Sequence, residues 1–292
     1  MAIETEIAWT DSTFNPWWGC VKVSDGCDNC YAMTMARRLK AMGQAKYQKD
    51  GNPATSGPGF GVSEHPDTLT LPLKWRKPRK VFVNSMSDLF HKDVSDEFIA
   101  KVWAVMAATP QHTYQILTKR SARMRSLLSS TEFDLAVADA WSAMGMTAGS
   151  LDGGDHTPPY PLPNVHLGVS AEDQKWADIR IPHLMTTPAA VRWVSAEPLL
   201  GPIDFTEYLF EPGDYEWVNR DGLDWVVVGG ESGRGARPMD LAWASLIVEQ
   251  FRDAGVPVLV KQLGSAGGRR DHQDITTFPA DLQVRQYPGA TR

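Results

Sequence analysis

The stretch Lys80-Val-Phe-Val-Asn-Ser-Met-Ser-Asp88, followed by Ser95 and an apolar-periodic run over 96–108, decides the fold. A short β-branched and aromatic run reads as a strand, and the small polar residues that end it read as a loop. Ser95 is a helix N-cap, and the helix it opens stops before Pro110. Working outward, the same order recurs in Thr113-Tyr-Gln-Ile-Leu-Thr-Lys-Arg120, Asn164-Val-His-Leu-Gly-Val-Ser-Ala-Glu-Asp173 and Val191-Arg-Trp-Val-Ser-Ala-Glu-Pro198. It recurs again in Leu223-Asp-Trp-Val-Val-Val-Gly-Gly-Glu-Ser232 and Val256-Pro-Val-Leu-Val-Lys-Gln-Leu-Gly264. Most of these runs precede a helical pattern, the clearest at 241–254, capped by Asp240 and closed by Gly255. Strands alternating with helices predict an α/β fold, a partial or complete parallel βα barrel with loop insertions.

At 292 residues one such barrel accommodates the whole chain, so the expectation is a single domain over 1–292. Segments 44–73, 130–163 and 202–222 read as insertions, the first a Gly-, Pro- and polar-rich loop or lid, the second a helix plus a long loop, the third an irregular excursion, and 265–292 reads as a loop-like tail. In parallel βα folds, functional groups project from the carboxyl ends of the strands. Those ends here carry Asn84, Ser85, Ser87 and Asp88; Thr118, Lys119 and Arg120; Ser170, Glu172 and Asp173; Ser195 and Glu197; Gly229, Gly230 and Glu231; and Lys261 and Gln262. Any one of them is explained by loops being polar. Their recurrence at successive ends suits a small polar ligand, with Gly229 and Gly230 leaving room for its approach and Glu231 accepting hydrogen bonds from it.

All three cysteines fall in residues 14–31, Phe-Asn-Pro-Trp-Trp-Gly-Cys-Val-Lys-Val-Ser-Asp-Gly-Cys-Asp-Asn-Cys-Tyr, at Cys20, Cys27 and Cys30 with the spacing C-x6-C-x2-C. Three thiolates on one short loop, with Gly19 and Gly26 beside two of them to permit tight turns, can wrap a soft metal centre. A 4Fe-4S cluster held by three cysteines keeps one iron open to a ligand. Zinc, the competing metal, needs a fourth ligand, and the histidine nearest to Cys30 is the distant His65. Three small apolar residues in a core are the remaining reading, against which stands their clustering among Asp, Asn, Ser and Lys. A helix over 31–42 places Cys30 at its start.

Composition narrows the classes. Hydrophobic content of 42% and charged content of 22% belong to a globular protein, and an odd cysteine count offers no disulfide framework. No membrane-length apolar run or leader-like N-terminus is present, so the cytoplasm is the expected compartment and no membrane partner is expected. The net charge of −6 removes the basic footprint usual for nucleic-acid binding. Local basic runs persist at 74–80 and at Lys119, Arg120, Arg123 and Arg125, which suit either a phosphate or solvent.

The segments Trp9-Thr-Asp-Ser-Thr-Phe-Asn-Pro-Trp-Trp-Gly-Cys20, Gly26-Cys-Asp-Asn-Cys-Tyr-Ala32, Asn84-Ser-Met-Ser-Asp-Leu-Phe90, Leu117-Thr-Lys-Arg120, Leu167-Gly-Val-Ser170, Glu197-Pro-Leu-Leu-Gly-Pro202 and Gly229-Gly-Glu-Ser-Gly233 resemble the three-cysteine-motif protein family of phages and prokaryotes, whose function is uncharacterised. That family resembles, more distantly, the radical S-adenosylmethionine enzymes. The resemblance implies a phage protein with a radical S-adenosylmethionine-like barrel and a 4Fe-4S cluster on Cys20, Cys27 and Cys30. It further implies S-adenosylmethionine as a second cofactor; the strand-end residues Asn84, Ser85, Ser87, Asp88, Ser170, Glu172, Ser195, Gly229 and Gly230 are the groups expected to hold it, and Lys119, Glu197 and Glu231 are the catalytic candidates, with a hydrolase using Glu197 or Glu231 as base a weaker alternative. The spacing departs from the C-x3-C-x2-C of those enzymes, and Tyr31 follows the last cysteine where theirs has an aromatic before it. The expected substrate is a nucleotide or nucleic-acid base, its phosphate met by Lys119, Arg120, Arg234 and Arg237 and its ring by Phe14, Trp17 or Trp18. The expected partner is an electron donor. The alternative is a non-catalytic binding protein for nucleic acid or a partner protein, stabilised by a cluster or by zinc.

Overall fold

A computed structural model describes residues 3–145, 158–209, 222–268 and 272–289. The chain divides into two compact units. The first comprises Met1–Lys22, Ala32–Leu167 and Thr187–Ala190; the second comprises Val23–Tyr31, Gly168–Thr186 and Val191–Arg292.

In the first unit the elements are β1 (Ile3–Glu4), β2 (Ser12–Phe14), β3 (Trp17–Trp18), α1 (Tyr31–Ala41, entering after its first residue), β4 (Ser63–Glu64), α2 (Pro66–Leu69), β5 (Lys80–Val83), α3 (Asp96–Ala107), β6 (Thr113–Thr118), α4 (Ser121–Leu128), α5 (Thr131–Ala143) and the first half of β7 (Val165–Ser170). The sheet runs β1-β2-β5-β6. β1 is antiparallel to β2, whereas β2 pairs parallel with β5 (Ser12 opposite Val81) and β5 parallel with β6 (Lys80 opposite Thr113). Val81, Val83, Tyr114 and Ile116 are fully buried, which explains why these strands read as continuous apolar runs rather than alternating ones. α3 starts where its cap dictates, the Ser95 hydroxyl accepting from Phe98 N at 3.2 Å, and its Trp103 meets Phe133 of α5 edge-on at 5.6 Å.

In the second unit, α6 (Gln174–Met185) follows the second half of β7, and then come β8 (Val191–Ala196), β9 (Trp225–Gly229), α7 (Leu241–Asp253) and β10 (Val258–Gln262). β8, β9 and β10 are parallel neighbours, with Val194 opposite Val226 and Val258 opposite Val226 from the other side. Asp240 caps α7 by accepting from Ala242 N at 2.9 Å, and Gly255 closes it in the left-handed region at φ 67°.

The α/β class, the parallel pairing and the expected strands are therefore found, and β2 is a strand that immediately precedes the cysteine loop. Segment 44–73 is fastened down: β4 pairs with β3, and Lys22 N donates to Thr55 O at 3.1 Å. Of the expected insertions 130–163 and 202–222, residues 146–157 and 210–221 lie outside the described residues, and α5 fills the start of the former. The tail is loop-like in conformation but is not loose. Val260 N donates to Val284 O and Gln286 N to Val258 O, and Phe278 and Leu282 are buried. Among the described residues no helix is long and apolar enough to cross a membrane.

Candidate functional site

In the first unit the end of β5 is where the chain before Cys20 is held. Asn84 lies in the left-handed region at φ 65°, uncommon for a residue with a side chain. Its Nδ2 donates to Ser87 Oγ at 2.6 Å, and Ser87 Oγ donates to Trp17 O at 3.1 Å. Asn15 Oδ1 accepts from Met86 N at 3.0 Å and from Ser85 Oγ at 3.3 Å, and Gly19 N donates to Met86 O at 3.3 Å. Gly19 is obligatory on two grounds: its φ is 91°, and a Cβ there would come within 2.5 Å of the Gly61 backbone.

Asp88 is filled by its own chain. Its Oδ1 accepts from Thr118 Oγ1 at 2.7 Å and Phe90 N at 3.0 Å; its Oδ2 accepts from Lys119 N at 3.1 Å and Arg120 Nη1 at 2.9 Å. The same Nη1 lies 3.3 Å from Cys20 Sγ, and Nη2 donates to Val21 O at 3.2 Å. Burial alone would lower the Arg120 pKa, but Asp88 and Cys20 outweigh it and raise it, so the cation is secure. Arg123 likewise bonds Val94 O and Asp96 at 2.6 Å each. Two members of the basic run at the end of β6, Arg120 and Arg123, are thus bonded within the protein, while Arg125 is exposed as a solvated face would have it. Phe14 and Trp17 are buried, Trp17 stacked on Phe98 at 5.8 Å, and Trp18 donates its indole N–H to Tyr47; these rings are core and do not offer a stacking face.

In the second unit the segment carrying Cys27 and Cys30 is held by two carboxylates at strand ends. Glu172, just after β7, accepts from Ser24 Oγ at 2.7 Å through Oε1 and from Arg180 Nη1 at 2.9 Å through Oε2, and Arg180 also donates to Ser170 O at 2.8 Å. Ser24 Oγ lies 3.9 Å from Cys27 Sγ. Gly26 is not in the left-handed region; a Cβ on it would come within 2.4 Å of Glu172 Oε1, so it is glycine for close approach and not for a tight turn. After β9, Glu231 Oε2 accepts from Asn29 Nδ2 at 2.8 Å, Arg237 N at 2.8 Å and Arg237 Nε at 3.0 Å. Its Oε1 accepts from Arg237 Nη2, which also donates to Asp25 O at 2.9 Å. Burial raises the Glu231 pKa, but the Arg237 and Asn29 hydrogen bonds bring it below the ordinary carboxylate range, which weakens it as a base.

The third cluster joins Ser195, which donates to Glu197 Oε2 at 3.2 Å, and Lys261, whose Nζ is 3.0 Å from Glu197 Oε1. The room beside Gly229 and Gly230 is used by the chain itself: a Cβ on Gly229 would meet Glu197 Oε1 at 2.5 Å, and one on Gly230 would meet Gly264 at 2.8 Å. Lys119 is half-buried and Arg234 exposed. Sequence reasoning did not single out Arg180, Ser24 or Asn29; the latter two lie inside the quoted cysteine segment, while a helical arginine such as Arg180 carries no local signal.

Cys20, Cys27 and Cys30 form no disulfide and are half-buried. Among the described residues no group of three or more His, Cys, Asp or Glu side chains is gathered so as to hold a metal ion, so the fit to a metal rests on donor chemistry and spacing. Soft thiol sulfurs suit iron–sulfur or zinc, and an N–H donor beside Cys20 is the kind of partner that ligand sulfurs take.

Parallel strands with polar carboxyl ends, alternating with helices, define an α/β protein. The chain belongs to the family described as a protein of unknown function (DUF5131), whose model matches residues 4–287. No curated protein and no solved structure matches it.

Proposed function

We propose that the protein is a radical S-adenosylmethionine-like iron–sulfur enzyme on a partial βα barrel, with Cys20, Cys27 and Cys30 as the ligands of a 4Fe-4S cluster. The observation that carries the reading is that all the cysteines of the chain lie between residues 20 and 30, unbridged, on a segment tied to strand-end side chains: Cys20 to Arg120 in one unit, the Cys27 and Cys30 segment to Glu172 and Glu231 in the other. When bound by these cysteines, such a cluster would supply the one-electron chemistry of reductive S-adenosylmethionine cleavage.

The chain's own residues then divide the labour. Arg120, Ser24 and Asn29 hold the sulfur-bearing segment, with Asp88, Glu172 and Glu231 as their acceptors. Ser195, Glu197 and Lys261 form the group with a partly accessible carboxylate and ammonium, where a polar ligand can bind or a proton can move. Of the basic residues expected to meet a phosphate, Arg120 and Arg237 are engaged by Asp88 and Glu231, while Arg234 is exposed to a phosphate-bearing substrate. An electron donor is the partner this chemistry requires.

A second reading, a non-catalytic metal-stabilised binding protein for nucleic acid or another protein, is favoured by one observation: Asp88, Glu172 and Glu231 are spent on internal hydrogen bonds rather than left open. The test is to incubate anaerobically purified protein with S-adenosylmethionine and dithionite. Release of 5′-deoxyadenosine supports the enzyme, whereas a colourless protein holding one zinc supports the second reading.

A further inference from the structure

Lys74-Trp-Arg-Lys-Pro-Arg-Lys80 puts five cations into seven residues without an acid, the densest basic run of the chain. It lies wholly within the first unit and leads into β5, at the opposite end of that strand from Asn84. The run is anchored at its second residue. Trp75 is 8% exposed, Phe14 and His112 meet its ring edge-on at 6.5 and 5.7 Å, and Gln111 Nε2 donates to its carbonyl at 3.4 Å. Arg79 stands over the same ring at 6.0 Å and donates through Nη1 to Ser12 Oγ at 2.9 Å. Lys74 closes a turn, its N donating to Leu71 O at 3.0 Å. The backbone is therefore held, and the cations on either side of the indole are presented in a fixed order. Lys74, Arg76 and Lys77 are all exposed and enter no ion pair among the described residues. Asp11 bonds the Lys80 amide at 2.8 Å, at the far end of the run from them. Arg120, Arg123 and Arg237, by contrast, are each paired with an acid.

We infer that Lys74, Arg76 and Lys77 form a docking surface for the phosphate backbone of duplex nucleic acid. The net charge of −6 does not oppose this, because at physiological salt charges beyond about 8 Å are largely screened and the local cations decide. A protein partner would want an apolar centre to the patch, and here the one aromatic ring is turned into the core. The same burial removes the stacking platform that a single strand would use. What remains is charge on a held loop, which phosphates take without reading the bases and to which Arg76 can donate in bidentate fashion. A loop already ordered loses little freedom on binding. No cysteine takes part, so the inference stands apart from the cluster reading and survives its failure.

The experiment is fluorescence anisotropy of a short labelled duplex titrated with the full chain, repeated between about 50 and 200 mM salt. Three neutralised phosphates give a log–log slope of about −2.7, a loss of about 40-fold in affinity across that range. Lys74→Gln, Arg76→Gln and Lys77→Gln combined are expected to flatten the slope by about 2.7, and Lys77→Gln alone by about 0.9. Should the triple variant not fold, the single one decides. Arg37→Gln, Arg38→Gln and Arg125→Gln combined remove the same charge from exposed helix positions and are expected to leave the slope as it was. Tighter binding of duplex DNA or of duplex RNA names the source, and either supports the inference. A wild type that binds no duplex at the lowest salt, an unchanged slope in the Lys77→Gln protein, or equal flattening in the control overturns it. Displacement of the duplex by polyglutamate at equal charge also overturns it, assigning the surface to an acidic protein, as does preference for a single strand.

Discussion

Glu172 and Arg180 face each other at 2.9 Å with side chains 0% and 1% exposed, so each charge depends on the other. Removing one partner of such a pair leaves a buried charge, at a cost of about 3–5 kcal/mol. Arg180→Met is expected to lower stability by that order in urea denaturation, and a loss under ~1 kcal/mol would mean the pair is hydrated in solution. Because Glu172 also holds Ser24, Arg180→Met should further speed alkylation of Cys27 by iodoacetamide in the metal-free, folded protein. At this scale the sequence was legible in position but not in purpose. The strand-end residues stand where the βα rhythm puts them. However, whether Asp88 or Glu231 faces a ligand or an arginine from its own chain depends on contacts such as Arg120 and Arg237, which no local pattern encodes. Gly26, Gly229 and Gly230 are alike in this: each glycine permits a close approach, and the approaching group, Glu172, Glu197 or Gly264, is set by the tertiary fold.

Among the elements, those with both a start and a stop in the sequence were the legible ones. α3 has Ser95 and Pro110, and α7 has Asp240 and Gly255. α6 was harder: its cap Asp173, accepting from Trp176 N at 3.1 Å, reads equally as a polar strand end, and Pro182 interrupts its pattern. Ser95→Ala should cost about 1 kcal/mol by loss of the cap, readable as a shifted denaturation midpoint. In β7, Gly168 sits against the Trp193 indole, where a Cβ would come within 2.4 Å, and Trp193 is itself packed on Trp225 at 5.1 Å. Gly168→Ala is therefore expected to cost about 1–3 kcal/mol by overpacking. A neutral result would show that the indole can move aside.

At the scale of the molecule, acid is the expected weakness. His166 on β7 is buried and its pKa is lowered to about 4 from 6.5, with burial also lowering those of His65, His91 and His112. A histidine held neutral contributes stability that is complete above the unfolded pKa and is lost as pH falls from 6.5 towards 4, on the order of 3 kcal/mol for His166. Urea midpoints measured across that window should fall with pH, and His166→Phe should flatten the slope; an unchanged slope would place the acid sensitivity elsewhere. The whole-chain pattern of strands and helices was the most legible feature, because buried parallel strands announce themselves as apolar runs. The tail was the least, since its hydrogen bonds to β10 involve backbone atoms that leave no pattern.

The central claim, that Cys20, Cys27 and Cys30 hold an iron–sulfur cluster, meets its most direct test in iron and acid-labile sulfide analysis of anaerobically purified protein with electron paramagnetic resonance. About four irons and four sulfides per chain, a signal on reduction, and loss of both in Cys27→Ala are expected. Iron-free wild-type protein after anaerobic reconstitution, or iron retained when all three cysteines are replaced by alanine, would contradict it.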